Sequence, residues 1–153
     1  MDAAGARMIA DLIGEQFRHV HSDMRKEIEP LDASAVNWKP HPEANSIAVL
    51  VTHTLGSEKE MLRAVRGLGS DRVRSAEFEV TADAEALIAL LDLADLEVDE
   101  HVKAITAEDL TARRPRGDNP PRPGLEWLVG NYGHAREHLA QAQLTKQLYS
   151  ARK

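Results

Sequence analysis

Apolar side chains recur every third or fourth residue through four long stretches of this 153-residue chain, and no stretch alternates convincingly with the period of two that a strand requires. The first stretch runs from about Ala3 to Glu29 and carries Met8, Ile9, Leu12, Ile13, Phe17, Val20, Met24 and Ile28, with Pro30 closing it. Leu31 to Ala44 is expected to be irregular, because the prolines in Trp38-Lys39-Pro40-His41-Pro42 push the residue before each out of helical geometry. Asn45 or Ser46 then caps a second helix that reaches about Arg66, where Gly67 and Gly69 end it. After a link from Leu68 to Thr81, Thr81 or Asp83 opens a third helix lasting to about Thr106, with Leu87, Leu90, Leu91, Val98, Val102 and Ile105 on its apolar face. A loop over Gly117 to Pro123 precedes a fourth helix from roughly Gly124 to Ser150.

Four helices of similar length, each with one apolar face, predict an all-α fold: a four-helix bundle in one domain over residues 1–153. Antiparallel neighbours need only short turns, whereas parallel neighbours need a link that returns along the bundle. A helix of about 20 residues is roughly 30 Å long. The link between the second and third helices can span that length at about 3.3 Å per residue, so a crossover there is within reach.

Composition narrows the function. Apolar residues make up 42% of the chain, yet none of its apolar runs reaches the length of a membrane span, so no membrane contact is expected. The N-terminus lacks the basic start and dense apolar run of a signal peptide. There is no cysteine, which excludes a disulfide framework, a thiolate metal site and a cysteine nucleophile. These features favour the cytoplasm. Net charge is −6 and the basic residues are scattered. The one local cluster, Arg113-Arg114-Pro115-Arg116, reads as a solvated Pro-rich loop, so nucleic acid is not an expected partner.

Seven histidines remain to be placed. His134 and His138 stand one above the other at i and i+4 on the fourth helix. At about 100° per residue, Trp127, Asn131, His134, His138 and Gln141 share one narrow stripe. The apolar arc of that helix (Leu125, Leu128, Tyr132, Ala135, Leu139, Ala142) lies beside it. His53 sits at the edge of the apolar arc of the second helix, about a turn from Ser57, and is the best third member. Three protein ligands with one position left open make a metal site of catalytic type. The spacing alone is equally that of two part-solvated surface histidines.

The surrounding residues resemble the DinB/YfiT-like superfamily, in the branch catalogued as DinB-like or as a domain of unknown function. The resemblance covers nearly the whole chain. It begins with Trp38-Lys39-Pro40 and continues with Asn45-Ser46-Ile47-Ala48 opening the helix that leads to His53. Glu58 follows five residues later, then Arg72 and Glu77-Phe78 in the link. It ends with His134-Ala135-Arg136-Glu137-His138-Leu139-Ala140-Gln141 and Ala142-Gln143-Leu144-Thr145. Ala140 departs from the pattern, since many relatives have Gly there; its methyl group would narrow a helix contact. The resemblance implies that His53, His134 and His138 bind a divalent metal, zinc or nickel. Relatives include thiol-dependent enzymes such as mycothiol-dependent maleylpyruvate isomerase and bacillithiol S-transferases. It therefore implies a small-molecule substrate, a low-molecular-weight thiol cosubstrate and a homodimer, in detoxification or stress response.

Other residues carry competing readings. Glu58, in the apolar arc of the second helix, is either a general base, a hydrogen-bond acceptor for a ligand imidazole, or half of a buried ion pair with an arginine. His101, on the apolar face of the third helix, is either an acid/base group or fourth ligand, or a core histidine satisfied by one hydrogen bond. Asn131 and Gln141 would orient a ligand or bind substrate, while Trp127 and Trp38 would wall a pocket or fill the bundle end. His19, His21 and His41 are expected on the rim or in loops. Two further functions stay open: a non-catalytic bundle with a structural metal or a bound small ligand, and a metal-dependent hydrolase in which Glu58 assists.

Overall fold

In the computed structural model, which describes residues 1–152, the chain runs through helices α1 (Ala3–Ile28), α2 (Ala33–Asn37) and α3 (Ile47–Val65). A 3₁₀ turn at Arg74–Glu79 leads to α4 (Ala84–Ala104) and α5 (Ala107–Thr111). Strands β1 (Arg113–Arg116) and β2 (Asn119–Pro123) then precede α6 (Gly124–Ala151). The long helices α1, α3, α4 and α6 are the four expected from periodicity.

Their ends follow the local chemistry. Asp2, Ser46 and Asp83 each accept a hydrogen bond from the backbone N–H three residues on, as N-caps do. At the far end of α3, Gly67 takes φ +69°, which lets its own N–H reach Ala64 O at 3.0 Å and that of Leu68 reach Arg63 O at 2.8 Å.

Cross-helix contacts fix the directions. Arg7 reaches Val102, Arg18 reaches Asp99 and Arg25 reaches Asp92, so α1 and α4 are antiparallel. Tyr132 meets Gln16 and Lys146 meets Glu27, so α1 and α6 run parallel. His53 meets His134, Asn131 meets Ser57 and Val65 lies against Gly124, so α3 and α6 are antiparallel. Lys59 pairs with Glu97 and Arg66 with His101, so α3 and α4 are parallel. The long link between them is therefore a crossover.

Besides α2, which Asp32 caps inside a segment expected to be irregular, three expectations need correcting. The Pro-rich segment is not a solvated loop: Arg113–Arg116 and Asn119–Pro123 pair as an antiparallel hairpin. Prolines survive in it because each strand of a two-stranded ribbon has a free edge, where a missing N–H breaks no ladder. Arg114 folds inward to Asp109 and to the Val65 carbonyl at the end of α3. Second, Met8, Leu12 and Leu90 continue the apolar period but are exposed, at 69%, 55% and 39%. The early turns of α1 pack instead through Ala6, Ala10 and Gly14. A Cβ at Gly14 would stand 3.0 Å from Val102 Cγ2, so small residues set how closely α1 approaches α4. Ala140, expected to narrow a helix contact, is exposed.

Third, His21 is not on the rim. It is fully buried, with Nδ1 donating to Asp95 Oδ1 at 2.7 Å and Nε2 donating to Glu58 Oε2 at 3.1 Å. This clamp ties α1, α3 and α4 together, and the partner of Glu58 is a histidine rather than an arginine. Burial alone would lower the pKa of His21, but the hydrogen bonds to Asp95 and Glu58 outweigh it and lift the value to about 9. Burial pushes the Glu58 carboxyl up.

A raised folded pKa stabilises the fold fully below the unfolded value of 6.5, and the contribution is lost as pH rises through about 9. The melting temperature is accordingly expected to fall across that interval, with a loss on the order of 3 kcal/mol from this group. Thermal unfolding at stepped pH measures it, and proton resonances of the His21 ring should titrate near the upper end. A flat profile with His21 titrating at its ordinary value would contradict the clamp.

Candidate metal centre

Antiparallel packing of α3 on α6 sets His53 opposite His134 and His138. His134 Nε2 lies 3.2 Å from His53 Nε2 and 3.0 Å from His138 Nε2, and the potential ligand atoms all lie within 4.8 Å of one another. Tetrahedral ligands about 2.0–2.1 Å from a zinc ion stand roughly 3.3 Å apart, so the separations fit one ion.

Tautomers support the fit. His53 Nδ1 donates to Glu77 Oε2 at 2.9 Å and His138 Nδ1 donates to Gln141 Oε1 at 2.7 Å. With the proton on Nδ1, each ring turns the lone pair of Nε2 toward the common point. His134 Nδ1 is buried without a partner. Burial lowers the pKa of His53, and burial together with the neighbouring His138 and His53 rings lowers that of His134 to about 4. Both rings are therefore neutral at ordinary pH, the form that ligates metal.

Behind His53 the crossover link supplies the support. Glu77 is gripped by Arg72, whose Nε and Nη2 donate to Oε1 and Oε2 at 2.7 and 2.8 Å, a two-pronged pairing. Burial would raise the Glu77 pKa, but the bonds from Arg72 and His53 hold it below the usual carboxylate range. The Phe78 ring lies against His53 with centroids 5.0 Å apart. Gly56 makes this approach feasible: a Cβ there would collide with Glu77 Oε1. Sequence reasoning placed Arg72, Glu77 and Phe78 in the family pattern without giving them this task, and it overlooked Gly56. A glycine inside a helix, three residues after a candidate ligand and on its face, was the available signal.

A cleft of about 600 Å³ opens beside the centre. His53, His134, Asn131 and Trp127 line it, as do Arg116 and Arg122 from the hairpin. Asn131 donates to Ser57 Oγ at 2.9 Å, and Trp127 Nε1 donates to Arg114 O at 2.9 Å. Gln141 orients His138 but opens onto a separate groove with Leu50, Leu144 and Leu148. Trp38 stacks edge-on with Tyr149 at 5.6 Å and is not among the cleft residues.

Neither Glu58 nor His101 joins the cluster. Glu58 faces His21, and His101 Nδ1 sits 3.0 Å from Arg66 Nη1, with burial and the Arg66 charge lowering its pKa. Both lie on faces of their helices turned away from α6, a difference that separates residues only five apart on α3.

Fold and site together define a helical bundle with a three-histidine centre at the mouth of a polar cleft. The profile of the DinB superfamily matches residues 16–142, and the chain belongs to that superfamily. Among solved structures it is similar to a conserved protein from Enterococcus faecalis, at 18% identity and a TM-score of 0.75 over 90% of this chain and 95% of that one. It is also similar to a DinB-like protein from Bacillus cereus, at 15% identity and a TM-score of 0.71 over 86% of each chain. Both likenesses are of fold. A comparison with curated proteins finds no match. Among the described residues, no helix is long and apolar enough to cross a membrane.

Removing the support of His53 is expected to weaken zinc binding by about 10- to 100-fold, the usual effect of losing a carboxylate behind a ligand imidazole. Glu77→Ala tests this directly, and Gly56→Ala tests it by displacing the carboxylate. Competition against a chromophoric chelator reads the affinity, with circular dichroism as the check on folding. Unchanged affinity in well-folded variants of both kinds would contradict the assigned role.

Proposed function

We propose that this chain is a cytoplasmic enzyme dependent on one divalent ion, zinc or nickel, held by His53, His134 and His138, and that it acts as an S-transferase or isomerase using a low-molecular-weight thiol. The observation that carries this reading is the convergence of three Nε2 atoms beside a cleft large enough for a small molecule. When bound by three neutral imidazoles, a divalent ion keeps its full charge and supplies Lewis acidity, which acidifies a thiol or water at its open position.

The chain's own residues prepare that site. Glu77 and Gln141 hold two rings with their Nε2 atoms inward. Partial burial keeps His53 and His134 unprotonated. Asn131 and Trp127 wall the cleft next to the rings. No cysteine exists to act as nucleophile, so a sulfur nucleophile must arrive with a cosubstrate. A hydrolytic role draws less support, because Glu58, the carboxylate it would use, is hydrogen-bonded to His21 instead.

Protein purified without a His tag or chelator is expected to carry about one zinc or nickel ion per chain. As a transferase it should also accelerate the loss of a low-molecular-weight thiol in the presence of a carbon electrophile; as an isomerase it should turn over an unsaturated carbonyl compound only with such a thiol present and leave the thiol unconsumed. The combined His53→Ala, His134→Ala and His138→Ala variant should lose both properties. Elemental analysis reads the first, and a thiol-consumption assay beside an isomerisation assay reads the second. Protein without stoichiometric metal, and a triple variant as active as the parent, would sink the reading; metal-dependent turnover of an ester without thiol would replace it by hydrolysis.

A further inference from the structure

Arg116 stands out among the cations of the cleft by how its charge is balanced. Its Nε donates to Glu60 Oε2 at 3.0 Å, and its Nη2 donates to Ser57 O and Oγ at 2.9 and 2.6 Å. These bonds lock the guanidinium, while its Nη1 makes no hydrogen bond to the described protein. Glu60 is shared, because the same Oε2 accepts from Arg72 Nη1 at 3.0 Å. Arg72 has Glu77 besides, whereas Arg116 has no second carboxylate. Burial lowers the pKa of Arg116 despite Glu60, with Arg72 adding to the effect, while that of Arg72 is raised. The cation at Arg116 is thus desolvated and under-compensated.

Arg122 stands across the hairpin, on β2. Its guanidinium carbon lies 5.3 Å from the centroid of a Trp127 ring, and that of Arg116 lies 5.9 Å away. Arg122 forms no ion pair with the described residues. The rim acids Asp118 and Glu126 also face the cleft, and neither pairs with either arginine. His53 and His134 line the same cleft.

We propose that Arg116 and Arg122 form a carboxylate-binding subsite, which takes the anionic end of a small substrate while its reacting end lies at His53, His134 and His138. Only the placement of the reacting end rests on the metal-enzyme reading above. A planar guanidinium offers parallel N–H donors that match the two oxygens of a carboxylate. Fixed in advance by Glu60 and Ser57, Arg116 gives up little conformational freedom on binding. An incoming carboxylate also supplies the counter-charge that Glu60 provides only in part.

The test is a calorimetric titration of the protein as purified, at low ionic strength, with succinate and with its uncharged counterpart succinamide. Wild-type protein should bind succinate at least about tenfold more tightly than succinamide, the scale of one or two charge-assisted hydrogen bonds. Arg116→Gln and Arg122→Gln should each erase most of that preference and keep the metal content of the parent. Equal affinity for the two compounds would overturn the proposal, as would a succinate preference that both variants retain. Should Arg116→Gln fail to fold, the exposed Arg122 decides by itself. The triple histidine variant separates the two readings: a succinate preference that survives there supports the arginine subsite and leaves any fault with the metal centre.

Discussion

Because α3 and α4 run in the same direction, the chain between them must travel back along the bundle, and its path runs beside the face of α3 that carries His53. That single constraint delivers Arg72, Glu77 and Phe78 to the ring. A tight turn between antiparallel helices would have left His53 with no carboxylate behind it. Gly56 completes the arrangement by removing the one side chain that would keep the link at a distance. The topology of the bundle and the chemistry of its centre are therefore the same fact seen at two scales.

Two buried or half-buried groups of charge flank α3. On one side Glu58 is buried against His21, whose other nitrogen meets Asp95, and the resulting clamp joins three helices without touching the histidine cluster. Burying ionised groups costs several kcal/mol each, so such a clamp persists only because both nitrogens of His21 are matched. On the other side Glu60 bridges Arg72 from the crossover and Arg116 from the hairpin. Three segments distant in sequence thus meet at one wall of the cleft. The imidazoles beside them stay neutral because burial and nearby cations both disfavour their protonation.

The four long helices were legible because each repeats an apolar stripe over several turns, and three of them add an N-cap, Asp2, Ser46 or Asp83, with Gly67 as the stop of α3. The i, i+4 pair on α6 was legible for the same reason, since helical geometry alone places His134 beside His138. His53 followed from its edge position and from the resemblance that named it. The hairpin was not legible, because prolines mask strand character and its docking depends on Arg114, Arg116 and Trp127, whose partners lie far away in sequence. The burial of His21 was equally hidden: a histidine among helix residues looks polar until its two carboxylates, Glu58 and Asp95, arrive from other helices.

Sequence by itself thus determined the four long helices, most of their apolar faces and two of the three imidazoles on one stripe, all properties carried by neighbours within a turn or two. Tertiary structure decided which helices lie side by side, that Glu58 serves His21 and Glu77 serves His53, and that Arg116 borders the cleft. The physical reason is range. Backbone periodicity and capping act over a few residues, whereas a buried charge is assigned its partner only when packing brings distant segments within hydrogen-bond reach.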